Sequence, residues 1–234
     1  MSYPNDCVQS FIDDSSWWEK DDGKTLCRGR LVWVFAPHVD QIPMSLVPEG
    51  RTVATEHQKA NYRIETLRIK QATPPPKLPV AALAHYPGEI YTVYRSKKRP
   101  ALVFTAGGPD IPKELRSSLK PKWQTAPTML VAPYYGTQIG LRSGWYTEFV
   151  DRIRKAEYPQ YMWDKLPLTG DTESVLRFDH IQPIGRHHDS YELTEYVLKE
   201  DAIELVEEWF YWLMTGTLPE ESVLLEIREE LIKM

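Results

Sequence analysis

Apolar and polar positions alternate along several short segments of the chain, and this period of two predicts β-strands. Segment 128–133 differs because it is almost entirely apolar, which predicts a strand buried on both faces. Four residues, 95–98, separate two of the strands and predict a hairpin loop. The predicted strands are 28–35, 62–69, 88–94, 99–104 and 128–133.

Segment 173–185 also alternates for most of its length, which predicts another strand. It places two opposite charges, Arg177 and Asp179, two residues apart on one face. Because burying a charge costs free energy, that face either is wet and carries an ion pair or holds a functional site. The two predicted faces are Val175, Arg177, Asp179 and Ile181 on one side, and Leu176, Phe178 and His180 on the other.

The period changes to about four residues over 143–157, which predicts an amphipathic helix. Trp145, Phe149 and Ile153 form its apolar stripe, and basic residues occupy the opposite side. Ser143 is a candidate N-cap, since its hydroxyl can accept a hydrogen bond from the first turn.

Two further helices are predicted near the end of the chain. The first begins at about Lys199 and ends before Gly216, a residue type common just after helices. The second is predicted to start with Thr217 as its cap. The apolar stripes consist of Ala202, Leu205, Val206, Trp209 and Leu213 in the first helix, and Leu224, Ile227 and Leu231 in the second.

Composition narrows the class of protein. The chain is 42% hydrophobic, enough for a sizeable core, but no apolar run approaches the roughly 18 residues that span a bilayer. The first residues lack the basic and apolar regions of a signal peptide, so we expect a cytoplasmic protein without membrane contact. Cys7 and Cys27 form neither a metal-binding spacing nor a disulfide framework, so we expect reduced thiols.

The charge is distributed unevenly along the chain. Residues 86–186 carry 15 Lys and Arg against 10 Asp and Glu, whereas residues 187–234 carry 3 against 13. A basic middle suits a polyanionic partner that contributes phosphate contacts. The acidic end is typical of solvated helical surfaces.

Three segments resemble conserved blocks of the PemK/MazF family of toxins from bacterial toxin–antitoxin pairs. Segment 99–103 resembles the family's R-P-x-L-V strand, and 130–136 resembles the strand that ends in the active-site loop. Segment 175–184 resembles the strand with R-x-D in PemK-type members. The first strand of the barrel is either 28–34, which resembles R-G-x-[IV]-W-x-V, or the segment that begins at Pro87.

The resemblance implies an α+β protein built on a small SH3-like β-barrel with insertions, packed by a C-terminal helix. Independently of the resemblance, the first 27 residues have the composition of an irregular tail, and we expect a tryptophan pair, Trp17 and Trp18, to pin this tail to the body. The predicted parts are a tail, 1–27, a barrel domain, 28–216, with insertions at about 40–86 and 143–165, and a helical extension, 217–234.

The activity that the resemblance implies is cleavage of single-stranded RNA without a metal or another cofactor, through attack of the 2′-hydroxyl on the adjacent phosphorus. Such a reaction needs a base, an acid and positive charge near the phosphorane. By resemblance, Arg177 stabilises the phosphoryl charge and Asp179 is the general acid or base. If 28–34 is the first strand, His38 lies in the loop that carries a catalytic histidine in some members.

Further residues are expected to bind the substrate. Arg99 is the predicted second phosphate contact, and Lys97 and Lys98 precede it in the predicted hairpin loop. Tyr135 stands where family members often carry Thr or Ser, and a phenol can hydrogen-bond phosphate although it is larger. The pair His187 and His188 lacks further ligands at useful spacing, so no metal site is predicted.

The partners that the resemblance implies are single-stranded RNA, an acidic antitoxin protein and a second copy of the chain. Two other classes of function remain open from the sequence. One is a barrel of the same fold that has lost catalysis and binds nucleic acid, and the other is a protein-binding module.

Overall fold

A computed structural model of the protein divides the chain into two units. The first unit contains residues 1–35 and 98–234, and the second contains residues 36–97. The structure describes residues 3–12, 16–71, 87–109, 111–115, 127–139 and 144–234.

The described residues form eleven β-strands, three α-helices and short 3₁₀-helices. The strands are β1 Trp18–Lys20, β2 Arg30–Pro37, β3 Met44–Gly50, β4 Asn61–Thr66, β5 Tyr91–Val93, β6 Ser96–Thr105, β7 Thr128–Gly136, β8 Tyr161–Lys165, β9 Glu173–Arg177, β10 Gln182–Gly185 and β11 Tyr191–Leu198. The α-helices are α1 Thr147–Arg154, α2 Glu200–Thr215 and α3 Val223–Lys233, and the 3₁₀-helices are Val8–Phe11, Lys113–Leu115 and Phe178–His180.

The first unit is built on one eight-stranded sheet in the order β1-β11-β2-β6-β7-β9-β8, with β10 paired to β7. Its pairings are mostly antiparallel and the sheet curls into a half-barrel, which makes the protein α+β. β7 pairs with β6, β9 and β10 and buries Met129, Val131, Ala132 and Tyr134, so the apolar run is buried on both faces as predicted, although Leu130 is 38% exposed. The second unit contains a three-stranded antiparallel sheet in the order β4-β3-β5.

Segment 173–185 is not the single strand that its alternation predicted. Leu176 pairs with Tyr134, and Gln182 pairs with Val131, so six steps along this segment cover three steps of β7. The surplus residues form the 3₁₀-helix Phe178–His180 between β9 and β10. This turn changes which side chains lie on the same face of the sheet, so it determines which residues form the candidate site.

The predicted hairpin at 95–98 is also wrong. β5 pairs with β3, whereas β6 begins at Ser96 and pairs with β7. The two strands adjacent to this segment therefore belong to different sheets. The predicted insertion at about 40–86 falls within the second unit, and the proline-rich segment 73–79 lies outside the described residues.

The helices follow the predicted periods, with corrections at their starts. α2 ends at Gly216, whose φ of 78° is the left-handed conformation expected there. α3 begins at Val223 rather than near Thr217, because Ser222 is its N-cap and accepts a hydrogen bond from the Leu225 N–H. Glu208 of α2 reinforces this start by accepting hydrogen bonds from Ser222 Oγ at 2.7 Å and Leu224 N at 2.8 Å. The predicted cap Ser143 of α1 lies outside the described residues.

A buried carboxylate, Asp164 of β8, connects the N-terminal segment to the sheet. Its Oδ1 accepts hydrogen bonds from Trp17 Nε1 at 3.1 Å and from the Tyr3 hydroxyl at 3.3 Å. Its Oδ2 accepts from Trp18 Nε1 at 3.1 Å and from the Tyr134 hydroxyl at 3.2 Å. These contacts confirm that the tryptophan pair anchors the N-terminal segment.

Burial determines the protonation of this cluster. It raises the pKa of Asp164 to about 7, against the opposing effect of the hydrogen bonds from both indoles and from Tyr134. Burial, together with the nearby Asp164, also raises the pKa of Tyr3 and Tyr134, so both phenols keep their protons and donate.

The structure also bears on the two cysteines and on helices long enough to cross a membrane. Cys7 and Cys27 are free thiols, as predicted, and burial raises the pKa of Cys7 to about 11. No helix in the described part of the chain is long and apolar enough to cross a membrane.

We predict that Asp164→Asn destabilises the protein and flattens its pH dependence. The amide NH₂ group can only donate, whereas the oxygen that it replaces can still accept from the facing donors even when it carries the proton, and this loss costs about 1–3 kcal/mol. The folded wild type holds a proton on Asp164 up to about pH 7, while the unfolded chain releases it near the ordinary value of 3.8. The free energy of unfolding of the wild type therefore falls by up to about 1.4 kcal/mol per pH unit across this window, and the variant lacks that contribution.

Urea titrations between pH 4.5 and 7.5 measure both effects. The difference between wild type and Asp164→Asn should narrow as the pH rises, whereas the exposed control Asp171→Asn should follow the wild type. A constant difference at every pH would contradict the assignment of a raised pKa to Asp164.

The buried apolar stripe of α3 leads to a second prediction about stability. Leu231 is fully buried, so Leu231→Ala should lower the free energy of unfolding by about 2–5 kcal/mol through lost contacts and a residual cavity. Val223 on the same helix is 52% exposed, so Val223→Ala is a matched control with a much smaller effect. If the urea midpoints of the two variants shifted equally, the buried stripe of α3 would not be what stabilises the packing of this helix.

Candidate functional site

Arginine and tyrosine side chains alternate across four adjacent strands of the first unit. Ala101 of β6 pairs with Pro133 of β7, and two residues further along each strand stand Arg99 and Tyr135. On the other side of β7 runs β9, which ends with Arg177, and Arg177 pairs with Tyr161 of β8. We call these four side chains, Arg99, Tyr135, Arg177 and Tyr161, the Arg–Tyr row.

The contacts along this row are cation–π interactions. Cζ of Arg99 lies 4.0 Å from the ring centroid of Tyr135. Cζ of Arg177 lies 5.7 Å from the same ring and 5.0 Å from the ring of Tyr161. Each such contact contributes about 0.5–2 kcal/mol, depending on how well solvent is excluded. The row therefore holds two guanidinium groups against one phenol ring.

Arg99 retains hydrogen-bonding capacity that the described residues do not use. Its Nε is buried and has no hydrogen-bond partner among the described residues. Burial lowers the pKa of Arg99, and Tyr135 partly offsets this effect, but an arginine remains charged at neutral pH. A charged and incompletely satisfied guanidinium is suited to binding an anion.

Arg177 forms a two-point ion pair with Asp179. Nε donates to Oδ1 at 2.7 Å and Nη2 donates to Oδ2 at 2.5 Å. Burial acts to lower the pKa of Arg177, but the hydrogen bond and negative charge of Asp179 outweigh it and raise that pKa. Asp179 therefore fixes the orientation of Arg177 and compensates part of its charge. The ion pair predicted from the alternation is present, although Asp179 lies in the 3₁₀-helix and not in a strand.

His180 completes the cluster and was not predicted. Its Nδ1 lies 2.7 Å from the hydroxyl oxygen of Tyr135, within hydrogen-bonding distance, and the two rings meet edge to face at 5.5 Å. As part of a continuous strand, His180 would have pointed away from Arg177 and Asp179. The 3₁₀-helix instead places the imidazole against Tyr135, which also contacts Arg177.

An aromatic cluster continues the row beyond Tyr161. Trp145 and Phe149 stack on each other with a centroid distance of 5.2 Å, and both meet Tyr161 edge to face. Tyr158 packs on Phe149 and carries the guanidinium of Arg152 at 5.0 Å from its ring. The apolar stripe of α1 was predicted from its period, but no local pattern indicates that it lies beside the charged residues.

The other predicted site residues occupy different places. Lys98 pairs with Glu192 at 2.6 Å and lies over the ring of Trp33, so its charge is already partly compensated. Lys97 and His38 belong to the second unit, where the His38 N–H donates a hydrogen bond to the Arg95 carbonyl oxygen at 2.8 Å. The cluster around Tyr135 therefore contains four of the predicted residues, which are Arg99, Tyr135, Arg177 and Asp179.

The chemistry of the cluster is that of an anion site with groups able to transfer protons. Two guanidinium groups supply positive charge, and a carboxylate, a phenol and an imidazole lie in contact with them or with each other. In the part of the chain that the structure describes, no group of three or more His, Cys, Asp or Glu could hold a metal ion. The exposed His188 pairs instead with Asp189.

Comparison with known proteins gives no match to any family model, curated protein or solved structure.

We predict that Asp179→Asn strengthens anion binding at this cluster. The substitution removes the negative charge that compensates Arg177, so pyrophosphate should bind about fivefold more tightly, which corresponds to about 1 kcal/mol for an exposed charge pair. Isothermal titration calorimetry in low-salt buffer measures the affinity. Asp189→Asn, which removes an exposed carboxylate paired with His188, is the control. Equal gains in both variants would indicate only a general effect of net charge.

Proposed function

We propose that the protein is a metal-independent endoribonuclease of the PemK/MazF type, which cleaves single-stranded RNA through attack of a 2′-hydroxyl on the adjacent phosphorus. The observation that carries this proposal is the placement of Arg99 and Arg177 against the ring of Tyr135, with Asp179 and His180 in contact with the same groups. The site thus combines positive charge for a phosphorane with residues that can accept and donate protons.

The architecture supports the proposal. The three segments that resemble the family, 99–103, 130–136 and 175–184, lie in β6, in β7 and along β9 and β10, which are hydrogen-bonded neighbours. We take the curled half-barrel as a variant of the family's SH3-like barrel, packed by α2 and enlarged by the second unit. α2 contributes Leu205, Val206 and Trp209 to the same apolar core as β7 and β9.

The proposed roles follow from the contacts. The scissile phosphate binds between the guanidinium groups of Arg99 and Arg177, which contact the ring of Tyr135, and Arg177 is held in place by Asp179. Asp179 is the base for the 2′-hydroxyl, since each carboxylate oxygen retains a lone pair after accepting from Arg177.

The partners and setting are part of the same proposal. They are single-stranded RNA as the substrate, an acidic antitoxin protein as the inhibitor, a second copy of the chain in a homodimer, and the cytoplasm as the compartment. A basic middle region of net charge +5 over residues 86–186 suits both polyanionic partners.

One observation favours a second candidate, a barrel that binds RNA without cleaving it. The bidentate contact with Asp179 already compensates Arg177, so the cluster could hold a phosphate backbone without activating it. Such a protein would bind single-stranded RNA with an affinity that falls as salt concentration rises, and it would leave the RNA intact.

Incubation of purified protein with total RNA in EDTA separates the two candidates. We expect cleavage that leaves 2′,3′-cyclic phosphate ends and that falls by about 10²–10³-fold in Arg177→Ala, because the charge over the phosphorane is lost. Arg68→Ala, which removes an exposed arginine of the second unit, should cleave at the wild-type rate.

Two results would reject the ribonuclease proposal. Intact RNA combined with salt-dependent binding would establish the binding-only alternative. Equal cleavage by wild type and Arg177→Ala would place the activity elsewhere or in a contaminant.

A further inference from the structure

We infer that Tyr135 is the general acid for the leaving 5′-oxygen and that His180 supplies the proton to Tyr135. This inference rests on the proposed ribonuclease function and assigns the one proton transfer that the proposal leaves open. It adds His180, which sequence analysis did not select, and gives Tyr135 a catalytic role in place of substrate binding alone.

The ion pair limits which groups can act as the acid. Asp179 accepts hydrogen bonds from Arg177 on both carboxylate oxygens, so within this ion pair it acts as an acceptor and not as a donor. The two guanidinium groups are poor acids, since arginine stays protonated in proteins. Within the cluster, Tyr135 and His180 are then the groups able to donate.

Tyr135 is well placed to donate a proton to the leaving 5′-oxygen. The Arg99 guanidinium lies 4.0 Å from its ring centroid, and that of Arg177 lies 5.7 Å away, so the phenol is adjacent to both proposed phosphate ligands. These positive charges stabilise the negative charge that develops on the phenol oxygen as its proton leaves. The arginines thus bind the phosphate and assist the acid at the same time.

His180 is well placed to replace the proton that Tyr135 gives up. Its Nδ1 is 2.7 Å from the Tyr135 hydroxyl oxygen, and the imidazole is 7% exposed. Either ring nitrogen of an imidazole can carry a proton, so a protonated Nδ1 can donate to the Tyr135 oxygen. His180 acts through Tyr135 and is therefore a positioning and proton-supplying residue.

The step balances without an external reagent. The O2′–phosphorus bond forms while the 2′-hydroxyl proton moves to Asp179. The phosphorus–O5′ bond breaks, its electron pair remains on O5′, and O5′ takes the Tyr135 hydroxyl proton. The His180 Nδ1 proton replaces it on the Tyr135 oxygen. The products are a 2′,3′-cyclic phosphate and a 5′-hydroxyl, after which Asp179 releases its proton to water and His180 takes one back.

A substrate with a sulfur leaving group tests this assignment. One short single-stranded RNA is prepared with oxygen at the scissile 5′ position and one with bridging sulfur, whose thiolate leaves without protonation. On the oxygen substrate, Tyr135→Phe and His180→Asn should be slower by about 10²–10⁴-fold, the usual contribution of general acid catalysis. On the sulfur substrate both should approach the wild-type rate, which also shows that the variants are folded.

The pH dependence tests the contribution of His180. The wild-type rate on the oxygen substrate should decline as the pH rises, because His180 without its Nδ1 proton cannot supply one to Tyr135. His180→Asn can donate a hydrogen bond to Tyr135 but cannot transfer a proton, so this decline should disappear. Tyr146→Phe, which alters an 86% exposed phenol, is the control and should match the wild type on both substrates.

The outcomes distinguish a failure of the Tyr135 assignment from a failure of the ribonuclease proposal. If wild type cleaves and Tyr135→Phe is equally fast, or equally slow on both substrates, Tyr135 is not the acid and the ribonuclease proposal stands. If the wild type leaves both RNAs intact, the ribonuclease proposal itself fails, and this inference fails with it. A pH decline that persists in His180→Asn would remove His180 from the mechanism.

Discussion

The rest of the first unit depends on the burial of one carboxylate, Asp164, among four hydrogen-bond donors. A buried carboxylate is costly unless its oxygens are satisfied, and satisfying them requires Trp17, Trp18, Tyr3 and Tyr134 to converge from the N-terminal segment and from β7. The N-terminal segment is therefore part of the core and not an appended tail. The same requirement fixes the position of β8 relative to β7.

This constraint extends to the candidate site because neighbouring residues on a strand point in opposite directions. Tyr134 donates to Asp164, while the next residue, Tyr135, projects into the Arg–Tyr row. On β8, Asp164 lies three residues beyond Tyr161, the far end of that row. Packing around Asp164 thus keeps both aromatic members of the row in place, and the guanidinium groups of Arg99 and Arg177 are positioned against rings that cannot easily move.

Much of the fold could be predicted because local periods are strong where one face is buried. β7 and the stripes of α2 and α3 follow directly from apolar spacing. Pairing partners could not be predicted, since the segments now forming β5 and β6 look like a hairpin but pair with β3 and β7. The start of α3 depends on Glu208, a contact from another helix that no local pattern contains.

The candidate site, like the fold, could be predicted only in part. Arg177 and Asp179 are unusual within an alternating segment, so the pattern singled them out, and the family resemblance made them candidate site residues. The importance of His180 arises from three extra residues between β9 and β10, which form a turn whose register depends on β7. A residue that reaches the site only through such a turn cannot be assigned to it from alternation.

The most direct measurement of the central claim is a crystal structure with a short single-stranded RNA whose reacting 2′-oxygen is methylated, so that cleavage is blocked. The account predicts a phosphate that contacts the guanidinium groups of Arg99 and Arg177, with the Tyr135 hydroxyl within hydrogen-bonding distance of the 5′-oxygen. RNA bound with no phosphate at these two arginines would contradict it.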